Sequence, residues 1–218
     1  MPALITWWTQ DLGLLAPDAD PRAVQAVGED LLRRWADPAR RYHSSTHLIE
    51  LFRGLEEIEE AGELSAGDAT VGRIAGWLHD AVYDPAAPPG RNEAESVELA
   101  ARLLPTVGLT PATVSRVESL VRMTDGHDLA SVADDPLAAA FHDADLVIFA
   151  AAAERFDDYD DLVRQEYAHV PDDAFRAGRR AILEDFLGRD RLYATDHAHA
   201  QWDGPARVNL RRAVDRLG

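Results

Sequence analysis

The stretch His47-Leu48-Ile49-Glu50-Leu51-Phe52-Arg53-Gly54-Leu55-Glu56-Glu57-Ile58 decides the fold class. Leu48, Leu51, Phe52, Leu55 and Ile58 recur three and four apart, the spacing of one face of an α-helix. A half-buried strand would alternate instead, and alternation is scarce along the whole chain. This helix closes at Ala61-Gly62. Upstream, the pattern predicts a helix over 3–15 and a second opened by Asp20-Pro21, with Val24, Val27, Leu31 and Leu32 as its stripe and an end near Asp37-Pro38. Downstream, Val71, Ile74, Ala75, Leu78 and Val82 mark a fourth helix, followed by a Pro-rich loop over 84–91. Further helices are predicted over 93–104, after Thr110-Pro111, and after Asp135-Pro136 with Leu137, Phe141, Ile148 and Phe149. Two more cover 158–169 and 172–187, and a terminal one starts near Pro205 after an irregular stretch over 188–204. The expectation is an all-α fold, a single domain over 1–218.

Composition narrows the chemistry. The chain has 218 residues and 46% hydrophobic content, enough for one sizeable core. Cysteine is absent, which excludes disulfides, thiolate metal sites and a Cys nucleophile. The formal net charge is −17, from 39 acidic and 22 basic residues, and every basic residue is Arg. Without Lys there is no Schiff-base chemistry and no Walker A lysine. Such an acidic surface repels phosphate backbones, so no duplex nucleic acid is expected as a partner. No run approaches 18 apolar residues and no charged-then-apolar leader opens the chain, so no membrane partner is expected and the location is read as cytoplasmic.

Three segments carry histidine and aspartate in suggestive order. In Tyr42-His43-Ser44-Ser45-Thr46-His47, the two His are four apart at the entry to the third helix. His43 either shares a helical face with His47 or sits in the loop just above it. In Gly76-Trp77-Leu78-His79-Asp80, a His and an acid end an apolar helix, with Ala75 and Gly76 leaving room one turn back. The helix dipole disfavours an acid there, and a bound cation would resolve the conflict; the alternative is a surface His–Asp pair. In Phe141-His142-Asp143-Ala144-Asp145, Asp145 falls four after Phe141 and three before Ile148, on the apolar face, where an unpaired carboxylate is costly. It is either a ligand or the buried partner of an Arg. Asp143, about 200° round the helix, points elsewhere.

The combination His…His-Asp…Asp resembles the signature of the HD superfamily of metal-dependent phosphohydrolases, which are all-α. The Tyr-His-x-x-x-His segment is similar to that of class I cyclic-nucleotide phosphodiesterases, where the first His is the leaving-group acid and the second a metal ligand. The surrounding sequence looks closer still to a bacterial group of predicted HD-superfamily hydrolases. These share that segment, His-Asp-x-x-Tyr-Asp (His79 to Asp84), Asn-Glu-x-x-Ser (Asn92, Glu93, Ser96) and Asp-Ala-Asp-Leu (Asp143 to Leu146). The resemblance covers about 42–149. It implies His47, His79, Asp80 and Asp145 as ligands to a divalent cation (Mn, Mg, Fe, Co, Ni or Zn).

Two-metal members carry two further His between the His-Asp pair and the final Asp. Here that interval holds only His127 and His142, so one firmly bound metal is expected. The implied reaction is hydrolysis of a phosphate ester of a nucleotide or small phosphorylated metabolite. The cation polarises a phosphoryl oxygen and acidifies its bound water. Asp80 would take the nucleophile's proton and His43 would protonate the leaving oxygen. Arg91, Asn92, Glu93, Arg122 and His127 are the candidate substrate contacts. The competing readings are an HD-fold iron oxygenase and a non-catalytic metal- or nucleotide-binding regulatory protein.

Overall fold

The computed structural model describes residues 2–132 and 134–218, and the described residues form helices and no strands. In order these are α1 (Pro2–Leu15), α2 (Pro21–Trp35), α3 (Ser45–Glu60), α4 (Ala66–His79), α5 (Arg91–Leu103), α6 (Pro111–Met123), α7 (Pro136–Asp145), α8 (Ala153–Glu166), α9 (Asp172–Gly188) and α10 (Asp196–Leu217). Side-chain caps set many of the starts. Asp20, Ser65, Thr110, Asp135 and Thr195 each accept a backbone N–H from the first turn, and Pro follows at once in three of these cases. The fold is an all-α bundle around one core.

Helix α4 runs through the middle, packed by α1, α3, α5, α6 and α7. Its Trp77, with Trp8 of α1 and Trp35 of α2, is fully buried. Two glycines let the central helices close up. A Cβ on Gly54 of α3 would meet the backbone of Ala144 in α7 at 3.0 Å, and one on Gly76 of α4 would meet Phe52 and Leu51 of α3 at 2.8 and 2.9 Å. Gly76 is therefore small because α3 presses on it; the expectation that it clears room for Asp80 is corrected. These close approaches draw the end of α4, the start of α3 and the end of α7 to one place.

Several boundaries differ from the periodicity. α4 stops at His79, so Val82 lies beyond it, and Ile148 and Phe149 fall on a short 3-10 turn (Val147–Ala150) after α7 rather than on α7. α8 begins at Ala153, five residues earlier than its stripe suggests, and the chain after Glu166 turns, its carbonyls at Tyr167 and Val170 held by Arg164. α10 begins at Asp196 and carries Pro205 inside it. Proline in a helix interior costs about 3 kcal/mol. Gln201, Gly204 and Pro205 all face solvent, so water can take the carbonyl that loses its partner. Capping by Thr195 and the buried side chains of Trp202, Asn209 and Leu210 hold the helix through it.

Candidate active site

Three helix ends meet at one point. His47 lies in the first turn of α3, His79 is the last residue of α4 with Asp80 as its C-cap, and Asp145 is the last residue of α7. His47 Nε2 stands 3.1 Å from His79 Nε2, 3.1 Å from Asp145 Oδ1 and 3.8 Å from Asp80 Oδ2. His79 Nε2 is 3.2 Å from Asp80 Oδ2 and 3.3 Å from Asp145 Oδ1. Donors bound about 2.0–2.2 Å from a cation at tetrahedral angles lie about 3.3–3.6 Å apart. The spacings here, 3.1–3.8 Å, straddle that range, and the group His47, His79 and Asp80 could hold a metal ion.

The hydrogen bonds behind these side chains orient them. His79 Nδ1 donates to the Gly76 carbonyl at 2.9 Å, which leaves Nε2 with a lone pair when the ring is neutral. His47 Nδ1 meets the Tyr42 hydroxyl at 3.0 Å, again turning Nε2 inward. Trp35, fully buried, packs on both imidazoles. A lone-pair nitrogen and two carboxylate oxygens thus converge beside a second imidazole nitrogen in a largely buried site. Only a shared proton or a cation satisfies such a set. Burial works against charge on His79, yet Asp80 and Asp145 outweigh it and hold its pKa well above the ordinary value. Burial likewise pushes Asp80 and Asp145 up, and the neighbouring imidazoles win, holding both well below the usual carboxylate range.

His43 sits in the loop, one residue before the Ser44 N-cap of α3. Its Nδ1 donates to Glu166 Oε2 at 2.7 Å, which leaves Nε2 as the other ring nitrogen of a residue that lines the cleft. Glu166, the last residue of α8, also accepts the backbone N–H of Arg41 (2.8 Å) and His43 (3.0 Å) and the Tyr83 hydroxyl (3.2 Å). Burial raises this carboxyl, and His43 with the two amides brings it below its ordinary value. The Tyr83 ring stacks on His43 at 4.2 Å. Arg40 donates to the carbonyls of His43, Asp80 and Ala81, tying the His43 loop to the end of α4.

A cleft of about 270 Å³ opens over the cluster. His43, His47, His79, Asp80, Asn92, Glu93, His127 and Asp145 all line it. Asn92 spends its amide on the loop, accepting Asp84 N–H and donating to Asp84 O, and Ser96 Oγ accepts Val82 N–H. These two residues clamp the segment that follows Asp80. Glu93 is half-buried, and burial with the Asp80 and Asp125 charges raises its pKa. His127, at φ 49 after Gly126, brings Nε2 to 3.5 Å from Asp145 Oδ2; its pKa is pushed down to about 4 by burial, so the ring is neutral. Arg189 fixes it by donating to its carbonyl.

Two expected substrate contacts are not brought to the cleft. Arg91 is exposed on the first turn of α5 and pairs with Glu95 one turn on. Arg122 is exposed because Val117, Leu120 and Val121 take the buried face of α6. Asp143 points away from the cluster, as its helical phase requires. It is fully buried and accepts from Ala194 N–H, Thr195 N–H and the Thr195 hydroxyl, pinning the start of α10. His142 is also fully buried, bonded to Asp143, and does not line the cleft. Sequence reasoning missed Glu166 and Arg40. Glu166 had a signal, since it continues the buried series Phe156, Tyr159 and Val163 on α8. Arg40 lies in an irregular loop and had none. Comparisons with family models, with curated proteins and with solved structures return no match for this chain.

Proposed function

We propose that the protein is a metal-dependent phosphohydrolase of the HD type, cleaving a phosphate ester of a nucleotide or small phosphorylated metabolite. The observation that carries this reading is the convergence of two imidazole nitrogens and two carboxylate oxygens beside an imidazole that has a carboxylate of its own. An all-oxygen and imidazole donor set suits Mn, Mg, Fe, Co, Ni or Zn. When bound there, a divalent cation supplies Lewis acidity toward a phosphoryl oxygen and acidifies water. The chain's own residues supply the rest. Asp80 accepts the proton of the attacking water. His43, held in one tautomer by Glu166, donates from Nε2 to the departing alkoxide. Glu166 stabilises the imidazolium before that transfer, and Arg40 keeps His43 and Asp80 at a fixed separation.

The test is a panel of phosphate monoesters and diesters offered to protein loaded in turn with each of these cations, with inorganic phosphate or alcohol release as the readout. Turnover that disappears in His79→Ala is the expected result. Stoichiometric metal with no ester cleaved would leave a binding role instead, and metal-dependent oxygen consumption would favour oxidation.

A further inference from the structure

We propose that the ester carries a single phosphoryl group on an apolar or aromatic alcohol, and that the alcohol lies in an annex between α8 and α9. The assignment rests on the phosphohydrolase reading above. The cleft over the ligand cluster continues, past His43, His127 and Tyr159, into a second cavity of about 510 Å³. Val163 and Tyr167 of the α8 side and Phe175 and Ile182 of α9 wall it. Ala174 and Gly178, one turn apart on α9, keep its floor low. Ile182 is 52% exposed, a large apolar side chain left at the rim with solvent on one side. A pocket of this kind rewards an apolar guest by removing its surface, and its own, from water.

Charge excludes the alternative guest. A diphosphate or triphosphate chain needs cations beyond the metal, normally Arg or Lys. Arg179 is the single guanidinium lining either cavity among the described residues, and it is already committed. Its side chain is 8% exposed, donates to Asp160 and lies over the Tyr159 ring at 5.0 Å. Arg40 nearby is spent on three carbonyls. Asp80, Glu93 and Asp145 also line the cleft and are acidic, and His43 is paired with Glu166. One phosphoryl group can therefore be neutralised here, at the metal, and a second cannot.

The experiment is calorimetric binding of methyl-, butyl-, hexyl- and octylphosphonate, and of ATP, to Mn-loaded protein, with hydrolysis of methyl and hexyl phosphate measured in parallel. Each buried methylene contributes about 0.8 kcal/mol, so affinity should rise about fourfold per methylene from butyl to hexyl. ATP should bind more weakly than hexylphosphonate. Gly178→Leu places a branched apolar side chain in the annex, from a Cβ position that meets nothing within 4 Å, and leucine is the better helix former. It should cut the chain-length gain, leave methylphosphonate binding within about twofold, and melt no lower than the wild type. A flat chain-length series, tighter ATP binding, or an unchanged series in Gly178→Leu overturns the annex. Hexylphosphonate bound with the expected gain, while no ester is cleaved, supports the annex and defeats the hydrolase reading. Cleavage of methyl phosphate with a flat series does the reverse.

Discussion

Asp143 and Asp145 differ by two positions and by everything that follows from 200° of helix. Asp145 faces the two imidazoles, whereas Asp143 holds the start of α10 through three donors. Asp145→Ala should abolish metal binding. Asp143→Ala should keep it in the folded protein but strand buried N–H groups, costing about 3–5 kcal/mol, or about 10 °C of melting temperature. Metal content by elemental analysis and thermal melts separate the two; the opposite pattern would put the helical phase two residues out. His79 adds a pH dependence. Held well above its ordinary pKa by Asp80 and Asp145, it carries its proton at pH 7 until a cation takes its lone pair. Metal binding at pH 7 should release about one proton per ion, and affinity should climb with pH up to tenfold per unit until His79 ionises on its own. Calorimetry in buffers of different ionisation enthalpy reads this directly, and zero release contradicts it. His43 is the third case. His43→Ala should lower kcat by about 10²–10⁴ with metal content unchanged. Glu166→Gln should follow it, and both losses should shrink for nitrophenyl esters, whose leaving group needs little protonation. Loss of the metal in either variant would make His43 a ligand.

Helices place these groups by where they end and how closely they pack. His79, Asp145 and Glu166 are each the last residue of α4, α7 and α8, and His47 lies at the start of α3. Their carboxylates sit at helix C-termini, where the dipole is unfavourable and an adjacent cation or imidazolium offsets it. Gly54 and Gly76 set the spacing. Gly76→Val would drive a side chain into Phe52 and Leu51, and overpacking of this kind costs about 1–3 kcal/mol. Because α4 must shift to relieve it, metal affinity should fall together with the melting temperature; stability lost at unchanged affinity would show that the ligands are positioned independently of this contact. Much at this scale was legible in the sequence. The stripe of α3, the proline starts and the capping aspartates gave the helices, since they are local effects of 3.6-residue periodicity and backbone capping. Boundaries that depend on distant partners were not. α10 runs through Pro205 because Asp143 and Thr195 anchor its start far upstream, and nothing local to Pro205 says so. Glu50 and Arg155, Asp11 and Arg73 likewise meet across 105 and 62 positions, distances that periodicity does not reach.

Seen whole, the molecule is an acidic helical bundle with one cleft in which imidazoles and carboxylates collect. The cluster of His47, His79, Asp80 and Asp145 was legible because four side chains of the right type stood in order. Asp145 also stood on an apolar face that a free carboxylate would not occupy. Arg91 and Arg122 were misplaced because a charge in a loop or on a helix end carries no phase, and the buried faces of α5 and α6 turned both outward. Glu166 was visible in principle on the α8 stripe, but its partnership with His43 spans 123 residues and exists only in the fold. Among the described residues no helix is long and apolar enough to cross a membrane. One titration tests whether a cation held by His47, His79, Asp80 and Asp145 works with His43 on a phosphate ester. Metal-stripped protein is given Mn in steps, and the initial rate of 4-nitrophenyl phosphate hydrolysis is followed against equivalents added. A linear rise that breaks near one equivalent per chain, and no rise in His47→Ala, are expected. Tight uptake of Mn with no hydrolysis at any ratio, or a rate undiminished in His47→Ala, would contradict this role for the cation.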